Sequence, residues 1–270
     1  MTKHIENALA FHAMHVSGDP LILPNAWDMT SARIVQAAGA RAIATTSAGV
    51  AWSLGSRDGN ELTRDCALAA LQLIASSVAV PLTADIESGY GETPNDVAVT
   101  IASCLELGLS GVNIEDSLRS IEEQEQRIIA ARTAADDSGV PLFINARIDT
   151  HLLGDIGSDE WMEETLRRAR SYAQAGASGF FVLGALRADT IATLTTAVKL
   201  PLNVAYGPGT LSVRALAQAG ASRVSAGSSI AEVAYSVAQQ WATGMFETPE
   251  TAIPSPPALS WAALNGLIHS

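Results

Sequence analysis

A chain of 270 residues with 48% apolar, 16% charged and 5% aromatic residues can bury one large core made mainly of Ala, Val, Leu and Ile. Its formal charge of -12 repels phosphate backbones and anionic lipid, which makes nucleic acid and membrane surfaces poor partners. A small anionic substrate would need a local positive centre, either a bound cation or one of the few arginines. Cys66 and Cys104 fall in helical stretches without Cys-x-x-Cys or Cys/His pairing, so they are expected as buried helix residues in a reducing cytoplasm. The N-terminal stretch carries His4, Glu6, His12 and His15 instead of the apolar core of a signal peptide, and no apolar run reaches membrane-spanning length.

Two phrases alternate along the chain. Pro20-Leu21, Pro81-Leu82, Pro141-Leu142 and Pro201-Leu202 each open a short apolar run at near-equal intervals. Between them, Gly39-Ala40, Gly108-Leu109, Gly176-Ala177 and Gly220-Ala221 each end an Ala-rich helical stretch and lead into another apolar run. Glycine closes a helix in a left-handed cap, and proline forbids helix continuation before a strand. The stretches 62–78, 93–107, 120–137, 158–175 and 228–243 show helical periodicity. Eight strands alternating with helices predict an α/β fold, a (β/α)8 TIM barrel forming one domain over 1–270, with insertions after strands 2 and 5. A doubly wound open sheet is the rival, but Leu23-Pro24-Asn25-Ala26-Trp27 stands where its Gly-x-Gly-x-x-Gly turn would be. The extension 248–270 carries Pro249, Pro254, Pro256 and Pro257, then an apolar helix around Trp261 to Ile268 that is expected to pack on a neighbouring subunit or on the barrel's outside.

In such a barrel the chemistry sits at the C-terminal strand ends. Strand 3 ends in Asp85-Ile86-Glu87 and strand 4 in Glu115-Asp116. Side chains alternate along a strand, so Asp85 and Glu87 are expected to point at the barrel axis, where Glu115 can join them. Three carboxylates in one low-dielectric mouth need raised pKa values or a cation. Oxygen donors without His or Cys favour a hard ion, Mg2+ first and Mn2+ second. Arg147 at the end of strand 5 would hold a substrate carboxylate beside the metal, and the small residues Thr46-Ser47-Ala48-Gly49 expose backbone amides at the mouth. Read one by one, the same acids could cap helices or pair with Arg147, Asp58 could be a turn residue, and His151 could be solvated.

Taken together, Thr46-Ser47-Ala48-Gly49, Asp58-Gly59, Ala84-Asp85-Ile86-Glu87-Ser88-Gly89-Tyr90-Gly91, Asn113-Ile114-Glu115-Asp116-Ser117 and Asn145-Ala146-Arg147-Ile148-Asp149 resemble the isocitrate lyase and phosphoenolpyruvate mutase superfamily from Leu21 to Gln240. The resemblance implies a Mg2+-dependent barrel assembled as a homo-oligomer, a dimer or a dimer of dimers, with C-terminal helices exchanged between subunits. It implies Asp85 as direct metal ligand, with Asp58, Glu87 and Glu115 holding metal-bound waters. Ser47, Ala48, Gly49, Arg147 and Asn203 would bind substrate, and Asp58, Arg147 and Ser47 would be catalytic. Departures are visible too. The lyases' Lys-Lys-Cys-Gly-His gating loop is replaced by Ser117-Leu118-Arg119-Ser120 running straight into a helix, and Leu183-Gly184 stands where a strand 6 Glu is expected.

Three readings follow. The first is a Mg2+-dependent lyase cleaving a C–C bond of a small 2-oxo acid or 2-hydroxy dicarboxylate through an enolate. The second is phosphonate P–C chemistry of the phosphonomutase or phosphonopyruvate hydrolase type, and the third is a catalytically silent 2-oxo acid binding protein.

Overall fold

The structure is a computed structural model that describes residues 3–247 and 259–268. The strands are β1 (Leu21–Leu23, continued as Asn25–Ala26), β2 (Ile43–Thr45), β3 (Leu82–Asp85), β4 (Gly111–Glu115), β5 (Phe143–Ile148), β6 (Gly179–Val182), β7 (Leu202–Ala205) and β8 (Arg223–Ser225). All neighbours are parallel. Pro24 splits β1, since it brings no N–H to the ladder. The first half pairs with β8 and the second with β2, and this closes the ring of the predicted barrel.

Helices α1 (Lys3–Ala13), α2 (Met29–Ala37), α3 (Ser47–Ser53), α4 (Arg64–Ser77), α5 (Pro94–Glu106), α6 (Ile121–Ser138), α7 (Asp159–Gln174), α8 (Ala188–Ala197), α9 (Val213–Gln218), α10 (Ser229–Glu247) and α11 (Trp261–Ile268) complete it. Their starts are set by side chains that accept orphan amide protons: Thr63, Thr93, Ser120, Ser158 and Ser212 each cap the amide three residues on. The four glycines read as caps all lie at positive φ, between 80° and 106°. Of the cysteines, Cys104 is buried in α5 as expected, whereas Cys66 is exposed. Its helix α4 turns Ala67, Leu71 and Ile74 to the barrel instead.

Even-numbered residues of β4 and β5 show the alternation that builds the core. Ile144, Ala146 and Ile148 join the layer under the helices, while Phe143 joins Leu21, Leu23, Ala42, Ala44 and Phe11 in a separate cluster inside the barrel's base. Helix α1 plugs that base. Its His4 and His12 donate from Nε2 to the carbonyls of Leu109 (2.7 Å) and Pro141 (3.0 Å), which precede β4 and β5. Strand tilt then makes one row of paired residues spiral downward. Glu115 pairs with Arg147, Arg147 with Phe181, Phe181 with Asn203, Asn203 with Arg223, and Arg223 with Leu21. The row that begins at the mouth thus ends in the base.

The tail prolines Pro249, Pro254, Pro256 and Pro257 lie outside the described residues. Helix α11 forms where the sequence predicts it and lies against α2, where Arg33 Nη1 donates to the carbonyls of Leu267 (2.8 Å) and Ile268. Among the described residues, no helix is long and apolar enough to cross a membrane.

Two buried polar groups test this packing. His15 stacks on Phe143 with centroids 3.9 Å apart, its Nδ1 donates to the Phe11 carbonyl at 2.8 Å, and its Nε2 has no partner. Burial, helped by the charge of Arg223, pushes its pKa down to about 3. The unfolded chain then binds more protons below pH ~6.5, so stability is full above that value and falls with pH toward ~3. Urea unfolding should show the protein losing about 2 kcal/mol more than His15→Phe between about pH 7.5 and about pH 5; equal losses would refute the burial argument. Asp116, fully buried, accepts from Arg168 Nη1 (2.9 Å), Tyr172 Oη (2.8 Å) and the amides of Leu118 and Asp149 (3.1 Å each). Asp116→Asn should cost about 3–5 kcal/mol in chemical denaturation, because it leaves Arg168 without its buried counter-ion.

Candidate active site

The C-terminal strand ends surround a cavity of about 440 Å³. Ser47, Ala48, Asp58, Asp85, Asn113 and Arg147 line one side, and Phe181, Leu183, Tyr206, Thr210 and Ser225 line the other. Asp85 is the last residue of β3. Helix α3 begins just across from it, and the first amides of a helix have no partner within the helix. Ser47 therefore donates to Asp85 Oδ2 both from its amide (3.4 Å) and from its hydroxyl (3.1 Å). Asp58 comes from the loop between α3 and α4, and burial followed by the charge of Asp85 raises its pKa.

Glu87 and Glu115 stand behind this rim and do not line the cavity. Glu87 departs from the predicted alternation: β3 ends at Asp85, and the chain turns at Glu87 with φ 50°. The residue is still buried. Its Oε2 accepts from the Asn60 amide, and its Oε1 has no partner. Burial pushes its pKa up to about 7 against the pull of that amide, with Asp58, Asp85 and Glu115 adding to the push. Glu115 is likewise pushed up to about 7 by burial, against the nearby Arg147.

Arg147 closes the cluster. Its Nη2 meets Glu115 Oε2 at 2.5 Å and its Nε donates to Asp149 Oδ1 at 2.8 Å. Burial alone would lower its pKa, but Asp149, Glu115 and Asp85 together raise it, so the guanidinium stays charged. Asp149 Oδ2 also accepts from the Ser117 amide at 2.8 Å, fixing the turn after β4. That turn is as short as the sequence implies, since Ser120 caps α6 directly.

The remaining sequence-derived residues fall elsewhere. Gly49 lies inside α3 and does not line the cavity; a Cβ there would stand 2.7 Å from Trp27 Cβ, so the glycine permits close approach. Asn203 lies one layer below, where its Oδ1 accepts from Ser225 Oγ at 3.1 Å. His151 sits in the 3-10 turn Thr150–Leu153, half-buried, 4.0 Å from Asp149 Oδ1 and off the cavity. Asn25 and Ser225 were given no role by the sequence yet line the cavity. Asn25 donates from Nδ2 to the Thr45 carbonyl (2.7 Å) and accepts from the Gly227 amide (2.9 Å), tying β1, β2 and the approach to α10 together. It lies in the short last segment of the broken strand β1, Asn25–Ala26, so a search of the strand ends reaches it too.

The charged donors are all oxygens, and Glu87 keeps a buried oxygen free. Among the described residues no group of three His, Cys, Asp or Glu side chains is arranged to hold an ion directly. Such a set fits an ion that keeps several waters and takes one carboxylate directly, which is the habit of Mg2+.

Residues 11–246 match the phosphoenolpyruvate phosphomutase family. The chain is 38% identical over 222 residues to an uncharacterized protein of Mycobacterium tuberculosis H37Rv, covering 82% of each. It is 28% identical over 205 residues to 2-methylisocitrate lyase of Escherichia coli K12, covering 72% of this chain and 67% of the lyase. Among solved structures, a protein of Burkholderia cenocepacia J2315 provisionally assigned as a phosphonomutase superposes with a TM-score of 0.85 at 41% identity, covering 88% of this chain and 99% of the other. The match across the barrel, with carboxylates gathered at its mouth, places the chain in the phosphoenolpyruvate phosphomutase family, within the superfamily of lyases and mutases that includes the isocitrate lyases.

Proposed function

We propose that the protein is a Mg2+-dependent lyase that cleaves a C–C bond beside the carboxylate of a small 2-oxo acid or 2-hydroxy dicarboxylate. The observation that carries this reading is the convergence of Asp85 and Arg147 on one cavity, with Glu87 and Glu115 buried behind them. Asp85 would ligate the ion directly, and Asp58, Glu87 and Glu115 would hold its waters. The bound ion would supply Lewis-acid stabilisation of the charge that develops on the substrate's 2-oxo oxygen. Arg147 holds the carboxylate, because its fork is fixed on one side by Glu115 and Asp149 and offers its free edge to the cavity. Ser47 positions Asp85, and so would set where the ion that Asp85 holds sits in the cavity.

The far wall favours this reading over phosphonate chemistry. Among the described residues lining the cavity, Arg147 is the only cation. The start of α10 does not replace a second one, because Ser228 Oγ donates to Glu232 Oε1 at 2.6 Å and so keeps a carboxylate at that helix end. A phosphoryl dianion would find no second charge to receive it.

Oligomerisation with a second copy of this chain belongs to the same proposal. Helix α10 exposes Val233, Met245 and Phe246, and α11 exposes Trp261, which is 82% accessible. Large exposed apolar side chains clustered on terminal helices of this kind mark an association surface. Sedimentation at micromolar concentration should give a dimer or tetramer, and Phe246→Glu should shift it toward monomer.

Oxalate carries the proposed head group and no scissile bond. Calorimetry should detect its binding only with Mg2+ present, Asp85→Asn should abolish it, and Arg147→Lys should weaken it by about 10- to 100-fold. Oxalate binding that survives EDTA or Asp85→Asn would sink the reading. Product assays on oxaloacetate beside phosphonopyruvate then separate C–C from P–C cleavage, and binding without turnover of either would leave the silent binder.

A further inference from the structure

Below the cavity floor lies a charge that the site as described does not use. Arg223, on β8, is fully buried, and its Nε donates to Ser225 Oγ at 3.1 Å. Ser225 passes the connection on to Asn203 Oδ1 at 3.1 Å. Both Nη atoms of Arg223 lack a partner, as do Asn203 Nδ2 beside it and Thr83 Oγ1, two residues below Asp85 on β3. Among the described residues no carboxylate lies within ion-pair distance of Arg223, and Asp85 is the acid whose charge acts on it most directly. Burial pushes its pKa down to about 9, which leaves it protonated at neutral pH.

A lone buried guanidinium is costly, by several kcal/mol even after relaxation. Packing gives no reason for it, since the base just beneath is filled by Leu21, Leu23 and Phe143. Something must offset the cost. Among the described residues, the net charge close by is the excess of carboxylates above, Asp85 foremost, where Asp58, Asp85, Glu87 and Glu115 face one arginine that Glu115 and Asp149 already occupy. The downward spiral of the pairing row places Arg223 under that cluster, out of reach of direct contact but within the same low-dielectric barrel.

We propose that Arg223 is an internal countercharge to the carboxylate cup: it offsets the acids' mutual repulsion from below and tempers how tightly the cup holds a divalent cation. Arg223 is thus a positioning residue that acts through the field, with its orphan donors and those of Asn203 and Thr83 satisfied by buried water. The proposal rests on the metal-cup reading given under Proposed function.

The test is Mg2+ affinity by calorimetry without substrate, in the full chain and in Arg223→Met, Arg223→Gln and Arg223→Lys. Removing a positive charge under the cup should tighten Mg2+ binding in the Met and Gln variants by at least about 5-fold, while the Lys variant stays within about 2-fold of the parent. A packing role predicts the reverse, with weaker binding in all three. Unchanged or weaker binding in the neutral variants overturns the countercharge while leaving the cup intact. Absence of Mg2+ binding in the parent protein overturns the cup itself, and the countercharge with it. If the Met variant does not fold, the Gln variant, which keeps a donor for Ser225, carries the comparison with Lys.

Discussion

The crowding of carboxylates at the ends of β3 and β4 is the constraint around which this barrel is organised. Asp58 and Asp85 line the mouth with Glu87 and Glu115 buried behind them, and among the described residues lining the cavity Arg147 is the one cation. Burial first, and the neighbouring acids after it, push Glu87 and Glu115 up to about 7, so like charges in such a place are costly to keep ionised together. The arginine is moreover split between Glu115 and Asp149, so its charge is shared before any ligand arrives.

Holding the acids apart at fixed distances requires stiff strand ends, and the short turn after β4 supplies stiffness there. Ser117 and Leu118 both take positive φ, 44° and 59°, which side chains resist. They are held there by the amide of Ser117 on Asp149 and that of Leu118 on Asp116. Asp116 is in turn bound by Arg168 and Tyr172 from α7. A buried acid that serves as a bracket thus leaves the neighbouring Glu115 free to pair with Arg147. The exchange also fixes access: a turn pinned at both ends cannot fold over the cavity.

How far this could be read in advance depends on the range of the forces involved. Strand and helix boundaries follow from local chemistry, a proline before a run or a left-handed glycine after a helix, and the eight strands, the caps and the short turn were legible for that reason. Asp85 and Arg147 were legible because strand alternation holds up to the last strand residue. Glu87 lies beyond that residue, where a turn at φ 50° replaces the alternation, and no residue type announces it. Asn203 was placed near the substrate by the family resemblance, but height in this tilted barrel is set by pairing register, which is a property of the whole ring. Cys66 shows the same limit on a helix, since a stretch that is apolar on average has an outer face.

The vertical order of the barrel interior follows from this register. The base is apolar and sealed by α1, the middle layer holds Thr83, Asn113, Asn145, Asn203 and Arg223, and the mouth holds the acids. Within the middle layer Asn145 Nδ2 donates to Asn113 Oδ1 at 2.9 Å, while Asn203 and Thr83 are left with groups unpaired. Filling this layer with leucine would give a more stable barrel, because each unpaired buried polar group costs about 1–3 kcal/mol. It would also bring a low-dielectric floor directly under the carboxylates and make their charge harder still to sustain. The polar middle layer is therefore the physical link between fold and site: stability given up inside the barrel is what allows a cluster of acids to persist at its mouth.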